Sequence, residues 1–466
     1  MEQEVSNVDY YVGLLNEFLG NLAGMVWGMP LVILLVGSGT LLTLFLGFPQ
    51  IRLFGHAIRV VLGHFDDPND PGEISHFQAL CTALSATVGL GNIAGVAVAI
   101  KTGGPGAVFW MILVGLIGMS TKFTECTLAL MYRHVDKEGH VHGGPMHYIE
   151  RGLGKRLKPL AWFFAFACVW ASFGAANMFQ TNQVANILNA HFQVDHWLTG
   201  LVLAILTAVV IIGGIQRIGS VTSKLVPFMG GIYVIGSLFV ILSNASEIPS
   251  VFYMIFHDAF SGTAAVGGFA GAAVSQVLIQ GVRRACFSNE AGLGSAPIAH
   301  SAAATNEPVR EGVVALLEPF VDTVVICTMT ATVILISGQW KSDLNGVELT
   351  AAAFDSALPG FGSAFIPIAV FLFAYSTLLS WFYYGETSVL YLFGDKGKLP
   401  YKVIYCTLAF FGALWTLGPV LNFSDIMLGL MVVPNMTAII LLFPKVHKAT
   451  RDYVQKLKSG AFHELR

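Results

Sequence analysis

Residues 22–48, LAGMVWGMPLVILLVGSGTLLTLFLGF, carry no charged side chain. Runs of about 20 apolar residues recur along the chain, each long enough to cross ~30 Å of hydrocarbon. In lipid every backbone polar group must be satisfied within the chain, which leaves only helices or closed barrels. A barrel would show alternating segments of ~10 residues, and none is present. Charged residues make up 11% of the chain, where a soluble domain carries roughly 25%. The chain reads as an all-α polytopic membrane protein, and a net charge of −3 implies no nucleic-acid surface.

Eleven spans are expected, numbered here in order: 22–48, 77–100, 105–132, 159–189, 196–214, 221–243, 268–300, 311–337, 361–393, 401–418 and 424–443. Two segments, 143–154 and 346–358, are too short and polar to cross and read as interfacial or re-entrant helices. The first 21 residues hold Glu2, Glu4, Asp9 and Glu17 and no Lys or Arg, the reverse of a secretory signal. With the N-terminus outside, twenty Lys and Arg fall in cytoplasmic loops against two outside, a decisive bias. The basic tail, 444–466, is then cytoplasmic and reads as a solvated amphipathic segment near anionic lipid; a regulatory-partner site is the alternative. The six cysteines lie in apolar runs without a CxxC pair and read as small buried hydrophobes. His140, His142 and His147 lie in a glycine-rich loop without metal-ligand spacing and read as solvated.

Spans 2 and 7 carry an oddity. Ser85, Gly89, Leu90 and Gly91 in "SATVGLGN" recur as Ser288, Gly292, Leu293 and Gly294 in "SNEAGLGS", 203 residues on. The same offset relates the two short segments and the spans that follow them. Five spans plus a short helix occur twice, and five is odd, so the second unit enters the membrane from the opposite side. The expected organisation is one extra N-terminal helix and loop (1–60), a first inverted repeat (61–245), a second (246–443) and the tail (444–466). Paired Gly-interrupted helices at matching positions point to a binding site near the bilayer midplane.

Such breaks offer opposite partial charges. N–H groups from Leu90 to Ile93 would form the positive end of a half-helix, suited to a carboxylate. Carbonyls released from Ser85 to Val88 suit Na⁺ or an ammonium group, so a zwitterion plus a small cation fits. Thr87, Asn92, Ser288, Asn289 and Glu290 are polar neighbours, and Phe287 could wall a pocket. Glu290 could touch a substrate ammonium or pin the unwound backbone, and Glu125 could brace the span-2 break. In span 9, Ser376, Thr377 and Ser380 share about one turn, with Trp381 on the same face as Thr377. Their hydroxyls could complete a Na⁺ shell or bond their own i−4 carbonyls. In span 4, Asn177 or Thr181 could face the pocket or serve as interhelical glue. Arg283 and Arg284 would form an outer gate pair whose acidic partner the sequence does not name. No nucleophile–base or metal set suggests an enzyme.

"SATVGLGNIAG…TGGPGAVFWM", "GGPMHYIERGLG" and "RRACFSNEAGLGSAPIAHSAA" closely resemble the alanine/glycine:cation symporter family, over residues 20–445. More distantly, "ATVGLGN" followed by "GGPGAVFWM" resembles the leucine-transporter fold. The resemblance implies Na⁺-coupled, or in some members H⁺-coupled, uptake of alanine or glycine across the plasma membrane of a prokaryote, with no organic cofactor. The wider fold implies Na⁺ ligands at Ser85, Val88, Ser376 and Thr377, with Phe373 and Ser380 in play. It also implies substrate contacts at Thr87, Gly89, Leu90, Gly91 and Asn92, and again at Phe287, Ser288 and Asn289. Asn177 and Trp381 complete the expected pocket. No residue set for a second Na⁺ site is apparent.

Overall fold

A computed structural model describes residues 7–137, 139–261, 270–415 and 417–462. Glu2, Glu4, the first two residues expected in span 7 and the last four of the tail lie outside them. Among the described residues the chain is helical apart from a short antiparallel pair, His134–Val135 with Val141–His142, and one parallel bridge between Ile74 and Ala303.

Seven described helical stretches are long and apolar enough to cross a membrane, or eight if the bent pair at span 2 counts as one. Spans 9 and 10 fall in one such stretch, Phe361–Gly412, and span 5 is the shorter apolar helix His196–Ile211. Span 7 is the helix Ala270–Asn289, a break, and the short helix Ala296–His300. Span 1 begins far earlier than residue 22. It runs as Asn7–Val26 and Met29–Phe45, interrupted where Pro30 removes a helical donor. A further helix, Ile248–Ser261, lies where the sequence reading placed only a connection.

The tail differs most. The last helix, Leu417–Lys458, continues unbroken through residues expected to be solvated. Val446 and Tyr453 are buried, and the Tyr453 hydroxyl lies 2.8 Å from His56 Nε2. Arg310 packs its guanidinium 5.5 Å from the Phe65 ring centroid and 5.2 Å from that of Phe462. An apolar stripe on this segment therefore docks against the helix Phe54–Val61 and its neighbours, leaving Lys and Arg outward, as an amphipathic pattern permits on protein as well as on lipid.

The two short segments form helices, Pro145–Leu153 and Gly346–Ala357. Both pack into the protein: Tyr148, Leu349 and Phe354 are wholly buried. Thr350 donates to the Ile93 carbonyl at 3.1 Å, so the second short helix supports the span-2 break.

Candidate functional site

The matching glycines break their helices in different ways. Span 2 leaves the helix at Val88 (ψ 84°), then resumes as a wide turn over Gly91–Gly95 before Val96–Gly103. The two halves are bent by 49°. Span 7 unwinds over a longer stretch, with Glu290, Gly292 and Gly294 at φ +58°, +87° and +84°. Glycine is needed at the latter two because a Cβ is strained in the left-handed region. Gly91 has another reason: a Cβ there would lie 3.0 Å from the Ser288 Cα, so the two breaks touch.

At the junction of spans 2 and 9, oxygens converge. Ser376 and Thr377 hydroxyls lie 3.2 and 3.1 Å from the Ser85 carbonyl, and Thr377 also reaches the Phe373 carbonyl at 3.0 Å. Ser85 Oγ donates to the Ser376 carbonyl at 2.6 Å, and Ser380 Oγ lies 2.9 Å from Ser85 Oγ. Ser85, Phe373, Ser376, Thr377 and Ser380 thus form one cluster of hard donors, with Val88 at the helix end beside it. Ser376 and Thr377 each also bond the Phe373 carbonyl within their own helix, the local behaviour expected of such hydroxyls.

Next to this cluster is a cavity of about 10 Å³, one water's worth of space. Span 2 contributes Ala86, Thr87, Gly89 and Gly91, span 4 Ala175, Ala176 and Gln180, span 7 Phe287 and Glu290, span 9 Thr377 and Trp381, and span 11 Leu428. The Glu290 carboxylate accepts from Trp381 Nε1 at 2.7 Å and from the Ser295 hydroxyl. It therefore both pins the break and faces the cavity. Gln180 turns an unpartnered, buried Oε1 here. The sequence offered a whole polar run in span 4, and Gln180 differs from its neighbours only in facing this way.

Other expected site residues lie elsewhere. Asn177 donates to the Tyr405 carbonyl at 2.7 Å, which ties span 4 to span 10, away from the cavity lining. Leu90 is fully buried in the core. Asn92 accepts from the Gly89 N–H at 2.8 Å and donates to Asp322 Oδ1 at 2.6 Å, so two residues expected to contact substrate bond each other and span 8. Ser288 reaches the same carboxylate at 2.9 Å, and Thr323 bonds it at 2.6 Å. Asn289 donates to Thr323 Oγ1 at 2.9 Å and accepts from the Ala291 N–H at 2.9 Å. Asp322 in span 8 is thus the hub that holds both breaks. Nothing in the sequence names the partners of this intramembrane carboxylate, because they are brought together by tertiary packing alone.

Glu125 braces the other break. Asn435 of span 11 donates to Glu125 Oε2 at 2.8 Å and to the Gly292 carbonyl at 2.9 Å, so the help goes to span 7 rather than span 2. Arg283 and Arg284 meet a shared partner, Asp425 of span 11; the Arg284 contact is 2.5 Å. Arg284 also lies 5.3 Å from the Phe287 ring centroid, which places this ion cluster directly over the cavity wall. In the histidine-rich loop, His142 Nε2 lies 3.0 Å from an Asp136 oxygen and His140 Nδ1 lies 3.6 Å from one of Glu73.

Two interrupted helices, back to back around a small polar cavity and a cluster of oxygen donors, define a class: helical membrane transporters built around discontinuous spans. The crystal structure of MhsT in complex with L-phenylalanine shares the fold at a TM-score of 0.55 and 14% identity, covering 80% of this chain and 98% of that one. The sodium:alanine symporter family description matches residues 12–466, and the chain belongs to that family. The sodium/alanine symporter AgcS of Methanococcus maripaludis is 44% identical over 94% of this chain and 96% of its own. The putative sodium/proton-dependent alanine carrier protein YrbD of Bacillus subtilis is 38% identical over 95% and 93%.

Proposed function

We propose that this protein carries a small neutral amino acid, alanine or glycine, into the cell together with Na⁺, by alternating access across the plasma membrane of a prokaryote. The observation that supports this most is the oxygen cluster at Ser85, Phe373, Ser376 and Thr377, in direct contact with the cavity through Thr377. Na⁺ binds there, with the Val88 carbonyl completing the shell, and pulls the end of the first half of span 2 against span 9. The substrate carboxylate then lies against the Gly89–Gly91 backbone and Thr87, and its ammonium faces Glu290. Phe287 and Trp381 close on a side chain no larger than a methyl group. Asn92, Ser288 and Asn289 act by holding the breaks in shape around Asp322.

Each ligand favours the same closed arrangement, which is what couples them. The membrane potential assists: one charge crossing 100 mV supplies ~2.3 kcal/mol. Opening to the outside requires the Arg283/Arg284–Asp425 cluster to part above Phe287. This reading includes eleven spans, one preceding two inverted repeats of five, with the N-terminus outside and the tail in the cytoplasm, docked on the helix Phe54–Val61.

Uptake of labelled alanine into proteoliposomes, with and without an inward Na⁺ gradient, tests it. Accumulation should require the gradient and saturate in both ligands. Uptake indifferent to every cation gradient would refute symport, and non-saturating flux would indicate a channel.

A further inference from the structure

Away from the cavity, four spans meet in a chain of buried titratable groups that Na⁺-coupled uptake does not use. His76 starts span 2, His300 ends span 7, Glu311 and Glu318 lie on span 8, and Lys122 lies within span 3. None is more than 1% exposed. His76 Nδ1 meets one oxygen of Glu311, whose other oxygen lies 2.5 Å from His300 Nδ1. His300 Nε2 lies 2.6 Å from one oxygen of Glu318, and Lys122 donates to the other at 3.1 Å.

Donor arithmetic decides the protonation of this chain. A neutral imidazole has one N–H and one lone pair, while an ionised carboxylate only accepts. His300 turns each nitrogen to a carboxylate oxygen, so one N–H cannot serve both. The set holds one proton beyond a neutral ring between two carboxylates. With it, an imidazolium at His300 donates to Glu311 and Glu318 at once. Without it, a lone pair of the ring faces a carboxylate oxygen in a dry interior, which is strongly disfavoured. Cys126 lies close enough to His300 and Glu318 to suggest a metal site, but both ring nitrogens and both Glu318 oxygens already have partners.

The other charged and titratable groups facing His300 are few. Glu125 of span 3 is bound to Asn435, and Glu290 in the span-7 break is bound to Trp381. Tyr384 of span 9 approaches Glu318. Arg133, just past span 3, donates to the Ser301 and Ala303 carbonyls at 2.6 Å each and to those of Pro71 and Thr305 at 2.8 and 2.6 Å. These carbonyls flank the place where the two broken helices are tied together: Glu73 N–H donates to Ala302 and Ala304 N–H to Ile74, both at 2.8 Å. For the cavity to open toward this end, span 2 must part from span 7 beside His300.

We infer that His300 is a proton-binding site, holding one exchangeable proton between Glu311 and Glu318, and that this proton latches the end of the bundle where span 2 begins and span 7 finishes. Loss of the proton removes one of the two bonds to the ring and leaves two carboxylates facing each other across it. The latch then weakens, and turnover rises as pH rises. The Lys and Arg distribution puts this end in the cytoplasm.

The test uses the full-length protein, labelled with ¹⁵N-histidine and reconstituted in liposomes without any gradient. His300 is assigned by the signal lost in His300→Gln. Both ring nitrogens should be protonated at pH 7; a neutral single tautomer there overturns the inference, whichever cation drives uptake. Glu311→Gln then offers an amide that can both donate and accept, so a neutral His300 can bond both neighbours. Between pH 6 and 9 the wild-type uptake rate should change by up to about tenfold per unit, the limit for one proton. Glu311→Gln should flatten that profile while still binding alanine. A structural role alone would shift thermal stability and leave the profile intact, which would overturn the inference. If Glu311→Gln does not insert, the resonance of His300 decides.

Discussion

Replacing Gly89 by alanine tests the proposed Na⁺ site without replacing any of its ligands. The new Cβ would stand 2.5 Å from Thr377 Oγ1, well inside contact distance, so the hydroxyl must move. Thr377 is β-branched within a helix and has few rotamers to choose from. Turning away, it leaves the Ser85 carbonyl, now 3.1 Å distant, and vacates the proposed ion shell. Losing one interaction with a charged partner costs about 1.5–3 kcal/mol. At 1.4 kcal/mol per decade this raises the half-saturating Na⁺ concentration by about 10- to 150-fold. Thr377→Val removes the same hydroxyl at nearly constant shape and should fall in the same range. Because both changes act through one oxygen, the double variant should be no worse than the poorer single one, a large departure from additivity. Gly95→Ala is the control, since its Cβ would meet nothing closer than the Leu90 carbonyl at 3.9 Å. The assay is alanine uptake by proteoliposomes against external Na⁺ at fixed alanine. Additive effects, or a Gly89→Ala protein with unaltered Na⁺ dependence, would refute the assignment of Thr377 to the ion.

Asn177→Ala separates glue from pocket: loss of the bond to the Tyr405 carbonyl should lower stability by ~1 kcal/mol, read as a lower melting temperature, with the alanine KM unchanged. Asp425→Asn leaves Arg283 and Arg284 with a neutral partner over Phe287; detergent-solubilised protein should still bind Na⁺, while accumulated alanine leaks back faster, and unaltered efflux would count against a gate there. His56, buried against Tyr453 outside the spans, titrates at about 4 because of burial first and the charges of Arg310 and Arg59 next. Its unfolded value is 6.5, so its contribution to docking of the C-terminal helix is complete above pH 6.5 and is lost as pH falls toward 4. Melting curves across that window should show less acid destabilisation for His56→Gln than for the unaltered protein.

Sequence patterns located both breaks to within a residue or two because Gly-Leu-Gly inside an apolar run has few other uses. The same patterns found the hydroxyls of span 9, since Ser376, Thr377 and Ser380 needed only helical spacing to share a face. They missed Gln180, Asp322 and Asn435 for a common reason. Each is one polar residue on a helix with several, and only the rotation of that helix against its neighbours says which one looks inward. The tail went astray differently: an amphipathic pattern is equally compatible with lipid and with a protein groove, and the groove lies on helices distant in sequence.

Apolar runs, their length and the positions of two interruptions were determined by the chain itself, because lipid leaves the backbone no alternative to local hydrogen bonding. Which polar groups meet was decided only by tertiary structure. Asp322 reaches Asn92 across 230 residues and Ser288 across 34, Asn435 reaches Glu125 across 310, and His300 lies between two carboxylates of span 8. Inside a membrane such groups must find one another, since no water is there to satisfy them, but composition and spacing do not say how.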